Sequence, residues 1–352
     1  MFARFIPLVA YPNGYPKLSN RNTGWNRALY SLARFAIAEA LSLSILKKGD
    51  VLVPALCCEI LSEAVYSSGN TPIYYDISAD LEIGPKEIFP HLTRKTVAII
   101  AIAYFGFETV SISKLKDLLD DDFYFLIDSA HSVPLRNQDF EFDRIYSFRK
   151  SLGLPDGACW ISSNLPIELK VRNPVNPTAH QMEELRLLSL IAENWGTSNL
   201  NKVMKILDRR NSLRSQRGFN WSQAAPSHRA FEAWQKADFE EIAHERRKHA
   251  YQYAEMLKNF RNVRPAFTKV PKNCSPLAFP IWVEDADQFS QKIWEHGIEV
   301  ARWWPNLNKN IDSNSFPNSF RVSRSLIQLP VHHNLRESDI DHVIESIYSI
   351  FN

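Results

Sequence analysis

The sequence is poor in the features that mark several broad classes of protein. Charge is nearly balanced, with 41 Lys and Arg against 39 Asp and Glu and a net charge of +2. No block of like charge forms a polyanion-binding tail, so a nucleic-acid or membrane-surface role has little electrostatic support. No apolar stretch approaches the ~20 residues of a membrane helix, and Met1 to Ala10 holds too short an apolar core for a signal peptide. A cytoplasmic protein is expected. Cysteine is scarce: Cys57, Cys58, Cys159 and Cys274 show no CxxC spacing, and the adjacent pair sits in an apolar segment. Reduced, mostly buried thiols are the expected state rather than a disulfide framework. Nothing repeats at a fixed period. What is abundant is core material, 45% hydrophobic residues over 352 positions, enough for one large or two medium folded domains.

Along the first half, short apolar runs alternate with helical spacing. Residues from Trp25 to about Leu46 read as a helix stopped by "KKGD" and Gly49. Then follow strand "VLVP", helix "CCEILSEAVYSSG", strand "TPIYYDI", helical "PKEIFPHL", strand "TVAIIAIAYFG", helix "VSISKLKDLLDDD", and strands "FYFLIDSA" and "RIYSFRK". Such alternation predicts a mostly parallel sheet covered on both faces, with ligands at the carboxyl ends of its strands. After Asn164 the pattern changes. "MEELRLLSLIAENWG" reads as helix, a charged span runs to about Arg229, and "ADFEEIAHERRKHAYQYAEMLKNF" makes a long amphipathic helix. The remainder mixes strands ("SPLAFPIWV", "FRVSRSLIQLP") with helices ("DADQFSQKIWEHG", "ESDIDHVIESIYSIF"). The expected division is a large domain over 1–230 and a small α+β domain over 231–352.

Three side chains fall at the predicted strand ends. Asp128 closes "FYFLID", and a carboxylate buried there needs a cation or several donors; the plainer reading is that it caps the following turn. His131 lies just beyond and, alone, is as readily a satisfied structural histidine. A metal reading of Asp128 and His131 lacks further ligands, and a nucleophile built on Cys57 or Cys58 would use thiols that look buried. Lys150 ends "DRIYSFRK"; there a lysine loses hydration, its pKa falls, and its amine becomes available to an aldehyde, unless it is simply exposed at a loop entrance. The ordered set of aspartate, histidine and lysine is what a pyridoxal phosphate enzyme needs. Lysine holds the cofactor as a Schiff base, aspartate keeps its pyridine nitrogen protonated, and a flanking side chain contacts the ring.

Longer stretches carry a specific resemblance. "KKGDVLVPALCCEILSEAVYSSGNTPIYYDI", "AYFGF", "LIDSAHS", "YSFRKSLGLPDGA" and the distant "LIQLPVHHNLRESDIDHVIESI" resemble the motifs of the DegT/DnrJ/EryC1/StrS family of pyridoxal phosphate-dependent sugar aminotransferases. The resemblance implies the fold-type-I architecture: a three-layer α/β/α large domain with a mostly parallel sheet, plus a small C-terminal α+β domain. It implies pyridoxal 5′-phosphate as cofactor, Lys150 as its covalent anchor, Asp128 at the pyridine nitrogen, and His131 near the ring and its phenolic oxygen. Ser147 would contact the phosphate. Leu56 to Cys58 would cover the ring, with Cys58 where relatives carry an aromatic residue and Cys57 beside it. It further implies ping-pong transfer from an amino donor, glutamate in relatives, to a keto acceptor such as a nucleotide-linked keto sugar, in a homodimer.

Three departures from the family pattern stand out. Relatives begin the first core helix with Ser-Gly-Thr or Ser-Gly-Arg to cup the phosphate, whereas this chain has Leu32, Ala33 and Arg34. Arg149 immediately precedes the lysine, and the interval from Ser147 is short. Because a guanidinium forks two hydrogen bonds onto a phosphate, Arg34 or Arg149 is expected to replace the missing donors. Ala103 stands where relatives have histidine, on the expected substrate side. Arg302, Trp303 and Trp304 either line the pocket or pack in the small-domain core. Two rivals remain at this point: a dehydratase-like reaction on the same scaffold, against which Lys150 argues, and a non-catalytic binding or regulatory protein.

Overall fold

The computed structural model describes residues 3–12, 14–17, 27–45, 47–111, 114–115, 123–135, 142–162, 172–215, 218–302 and 304–351. Seven strands, β1 (Arg27–Tyr30), β2 (Asp50–Pro54), β3 (Thr71–Tyr75), β4 (Thr96–Ile102), β5 (Tyr124–Asp128), β6 (Asp143–Ser147) and β7 (Ala158–Ile161), form one sheet in the order β1-β7-β6-β5-β4-β2-β3. The pairs among β2 to β6 are parallel, while β6 with β7 and β7 with β1 are antiparallel. The apolar runs predicted as β2 to β6 are therefore strands, and they lie side by side.

Two-residue periodicity shows why both faces are covered. Ile145, Ala158 and Trp160 belong to one core with Phe35 and Leu41, whereas Tyr146, Cys159 and Ile161 belong to another with Trp234, Phe239 and Ile242. Cross-strand partners Ile145 with Trp160 and Tyr146 with Cys159 keep each pair on one face. The sheet is thus the middle layer of an α/β/α arrangement, as expected.

Among the described residues the helices are α1 (Ala33–Ser44), α2 (Glu59–Ser67), α3 (Pro85–Ile88), α4 (Phe148–Ser151), α5 (Ala179–Glu193), α6 (Leu200–Ser215), α7 (His228–Lys236), α8 (Phe239–Leu257), α9 (Ala286–Glu295), α10 (Pro317–Ser325) and α11 (Glu337–Phe351). Helix α8 begins at Asp238, whose side chain accepts from the Glu241 amide, and places Glu240 and Glu241 where the helix dipole favours acids. Its buried stripe, Phe239, Ile242, Arg246, His249, Tyr253 and Leu257, follows helical spacing and includes an arginine. A second, antiparallel sheet of β8 (Val263–Pro265), β9 (Ala278–Val283), β10 (Ala301–Arg302) and β11 (Leu326–Pro330) has the order β10-β11-β9-β8.

Two expectations are corrected. The helix read from Trp25 begins only at Ala33, because Arg27–Tyr30 pairs antiparallel with β7 as an edge strand. In "FRVSRSLIQLP" only Leu326–Pro330 is strand; "FRVSRS" completes α10, which has Pro317 at its first turn, where the missing N–H is harmless. Most of the helix predicted over "VSISKLKDLLDDD" lies outside the described residues.

Candidate active site

Lys150 is not in the strand but on α4, a single helical turn directly after β6. Several contacts fix that turn. The Phe148 ring is buried against Trp234 at 5.5 Å and Phe239 at 5.6 Å, a burial that stabilises by about 1.5–3 kcal/mol. The Phe148 amide donates to the Gly157 carbonyl at 2.9 Å, and Ser151 Oγ to the Ser147 carbonyl at 2.9 Å. The buried Arg246 guanidinium donates to the Ser151 and Pro276 carbonyls. No carboxylate meets Arg246 among the described residues, and burial lowers its pKa to about 9. Gly153 makes the return possible. Its φ is +63°, and a Cβ there would lie 2.1 Å from the Ala10 carbonyl oxygen.

Asp128 ends the neighbouring parallel strand, and one of its oxygens accepts from the Ala130 amide at 2.9 Å. The turn-capping reading is therefore correct as far as it goes. Burial raises its pKa, opposed by the charge of Lys150 and by that amide. Burial lowers the pKa of Lys150, and neighbouring Arg149 lowers it further, against the opposing pull of Asp128 and Cys58. His131 is buried, and its Nδ1 accepts from the Phe105 amide at 3.1 Å, so the neutral ring carries its proton on Nε2. Burial, then the charge of Lys150, holds its pKa well below the usual value. The Trp304 ring stacks on it at 5.5 Å.

Phe105 pays for this arrangement in backbone strain, with a φ of +58° in a bulky residue. It is held by the His131 bond, by its carbonyl accepting from the Leu277 amide at 2.8 Å, and by Gly106. A Cβ on Gly106 would come within 2.4 Å of the His131 carbonyl oxygen.

Beside these groups is a cavity of about 360 Å³, within the range of small-molecule sites. Of the residues singled out from the sequence, Ala33, Arg34, Cys58, Asp128, Ser147, Arg149 and Lys150 all line it. His131 and Cys57 do not. His131 packs nearby, and Cys57 is a buried thiol whose pKa burial pushes well above normal. Arg34 pairs with Glu63 at 3.6 Å, while burial lowers its pKa. Ala103 is buried, its amide bonded to the Asp128 carbonyl. Arg302 instead pairs with Asp287 at 2.8 Å and lines a separate groove of about 790 Å³ that contains none of these groups. Trp303 lies outside the described residues.

The structure adds a residue that sequence reasoning missed. Arg214, on α6, is the third guanidinium lining the cavity. Its Nε donates at 2.7 Å to Glu184, a fully buried carboxylate on α5. Burial lowers the Arg214 pKa to about 10, with Arg149 and Arg210 adding to the effect and Glu184 opposing it. No motif marks Arg214; the one signal was an acidic residue on the apolar stripe of a predicted helix. Asp156, fully buried, accepts from the Ser227 amide at 2.8 Å and hydroxyl at 2.7 Å, tying the start of α7 to the turn after Lys150. No group of three or more potential metal ligands occurs among the described residues.

The sequence model of the DegT/DnrJ/EryC1/StrS aminotransferase family matches residues 33–153 and 230–348. Solved structures with the same fold include Spr1654 of Streptococcus pneumoniae in its PLP form, 17% identical with a TM-score of 0.64, covering 98% of each chain. NtdA of Bacillus subtilis with bound cofactor PMP is 16% identical with a TM-score of 0.64, covering 93% of this chain and 74% of that one. PseC of Helicobacter pylori, an aminotransferase involved in pseudoaminic acid biosynthesis, is 14% identical with a TM-score of 0.61, covering 93% and 86%. No curated protein sequence matches this one.

Proposed function

From the premise that the chain belongs to the DegT/DnrJ/EryC1/StrS aminotransferase family, we propose that it moves an amino group from an amino acid to a keto acceptor, with pyridoxal 5′-phosphate in the 360 Å³ cavity. The observation that carries this reading is the make-up of that one cavity: a carboxylate, a lysine, a hydroxyl and three guanidinium groups. A pyridine nitrogen calls for a carboxylate, an aldehyde for an amine, and a phosphate for cations and N–H or O–H donors. Every one of these partners is in the wall, so the residues fit the group.

When bound, the cofactor supplies an electron sink that makes the substrate's amine-bearing carbon acidic. The rest is work for the chain. Lys150 would hold the cofactor until the amino donor displaces it; the freed Nζ, with its pKa lowered, would then take the proton from that carbon and deliver it to the cofactor carbon that Lys150 had held. Asp128 keeps a proton on the pyridine nitrogen. His131, which packs behind the cavity wall, would act near the ring from there, with its proton on Nε2 and its Nδ1 holding the Phe105 amide. Ser147, Arg34, Arg149 and the first amides of α1 at Ala33 hold the phosphate, and Cys58 covers the ring with less surface than an aromatic side chain would.

L-Glutamate is the proposed donor and a nucleotide-linked keto sugar the proposed acceptor, in keeping with the role of PseC in pseudoaminic acid biosynthesis. We place the domain division near residue 230 and take the working form to be a cytoplasmic homodimer. The reading is tested by mixing cofactor-loaded protein with L-glutamate and no acceptor. One 2-oxoglutarate per site is expected from the native chain, released at least about 10²-fold more slowly by Lys150→Ala; no keto acid from the native chain with any amino acid would contradict transamination.

A further inference from the structure

We propose that a second, smaller cavity beside the first is the seat of the amino donor's carboxylate, built from Gln328 and Arg214, with Arg149 on the wall it shares with the phosphate site. The inference rests on the aminotransferase reading and adds to it a substrate-binding set that includes a residue from outside the family match. This cavity, of about 90 Å³, is lined by Arg149, Lys150, Arg214 and Gln328, with Leu8 and Leu277 among its apolar walls. Arg149, Lys150 and Arg214 line both cavities. The two spaces therefore lie side by side, with Lys150 in the wall of each.

Gln328 points to what it would bind. It sits in β11 between Ile327 and Leu329, both fully buried in the core, so strand alternation turns its own side chain the other way. It is 1% exposed, and its Nε2 has no hydrogen-bond partner among the described residues. Buried amide donors left unpaired are rare in folded proteins, and an acceptor in the cavity would satisfy this one. The lining adds the guanidinium groups of Arg149 and Arg214 and no carboxylate, since Asp128 borders only the larger cavity. An anion is the complement of that wall.

Arg214 is already oriented for the task. Glu184 engages its Nε at 2.7 Å and is the one acceptor it meets among the described residues, so the terminal nitrogens of the fork can meet a ligand. A guanidinium fixed this way recognises a planar carboxylate in two-point fashion. The space suits one carboxylate with a few waters, not a ring system.

The test uses cofactor-loaded protein titrated calorimetrically with glutarate, a dicarboxylate that lacks the amine and cannot react. The native chain should bind it. Gln328→Leu should bind it about 10- to 100-fold more weakly, the range set by losing a hydrogen bond to a charged group. Gln328→Glu should fold like the native chain, because its carboxylate would fill the seat itself, and should also bind glutarate weakly. Cofactor affinity, read from visible absorption, should stay unchanged in both. Equal glutarate binding by all three chains, no binding by the native chain, or a loss of cofactor affinity in place of glutarate affinity would overturn the proposal, the last by giving the seat to the phosphate. If glutarate binding depends on Gln328 yet no amino acid yields a keto acid, the seat stands and transamination falls.

Discussion

Residues 33–153 place their functional side chains by local sequence, whereas residues 172–229 place theirs by packing over a distance. In the first region Asp128 ends one strand and Lys150 follows the next by three positions, so parallel neighbours bring them to a common edge. In the second, Arg214 reaches the same cavity because Glu184, on another helix 30 positions earlier, holds its Nε. The family model covers the first region and not the second. In this chain the strand-end chemistry thus lies within the family match, while the further guanidinium of Arg214 comes from a helix outside it.

The largest effect should come from the local region. Lys150→Ala should lower transamination by about 10²- to 10⁴-fold with the unfolding midpoint little changed, as measured by steady-state rates and urea denaturation. Equal loss on replacing Arg214 would erase the distinction between the two regions.

The distant region should answer in stability. Glu184→Ala leaves Arg214 without its buried partner and should destabilise the fold by about 3 kcal/mol in urea. Because the pair acts as a unit, the double variant Glu184→Gln with Arg214→Gln should lose less than the sum of its single changes. Strict additivity would show that Arg214 is not held by Glu184.

Acid should sharpen the contrast from the local side. The folded-state pKa of His131 lies below its unfolded value, so the unfolded chain binds the proton first as pH falls. Its contribution is fully present above about pH 6.5 and is lost below it, by at most about 1.4 kcal/mol per pH unit. His131→Gln, which keeps an acceptor for the Phe105 amide, should flatten that slope in unfolding curves taken from pH 7 downward.

The smallest effect is a shift of titration. Arg149 lowers the pKa of Lys150. In Arg149→Gln the amine should therefore lose its proton at higher pH, and the acid limb of the rate profile should move upward. An unmoved limb would mean that Arg149 acts on bound anions alone.

Most of the central sheet was legible because its strands are short apolar runs that allow no other burial. Arg27–Tyr30 was not, since its residues also fit helical spacing and only pairing with β7 makes them a strand. Lys150, Asp128 and Ser147 were legible because each sits within a few residues of a strand end. Arg246, Arg214 and Gln328 were not. Each is a polar residue within a helix or strand, and its role depends on which chain segments fold against it: the Ser151 carbonyl, Glu184 and the small cavity. Phe105 belongs with them, because its positive φ is fixed by the tertiary bonds at His131 and Leu277.

The most direct measurement is to load the purified chain with pyridoxal 5′-phosphate, reduce it with borohydride, digest it and locate the modified peptide by mass spectrometry. A phosphopyridoxyl group on Lys150 alone is the predicted result. An unmodified Lys150, with the group absent or carried by other lysines, would contradict the assignment of this cavity as a pyridoxal phosphate site.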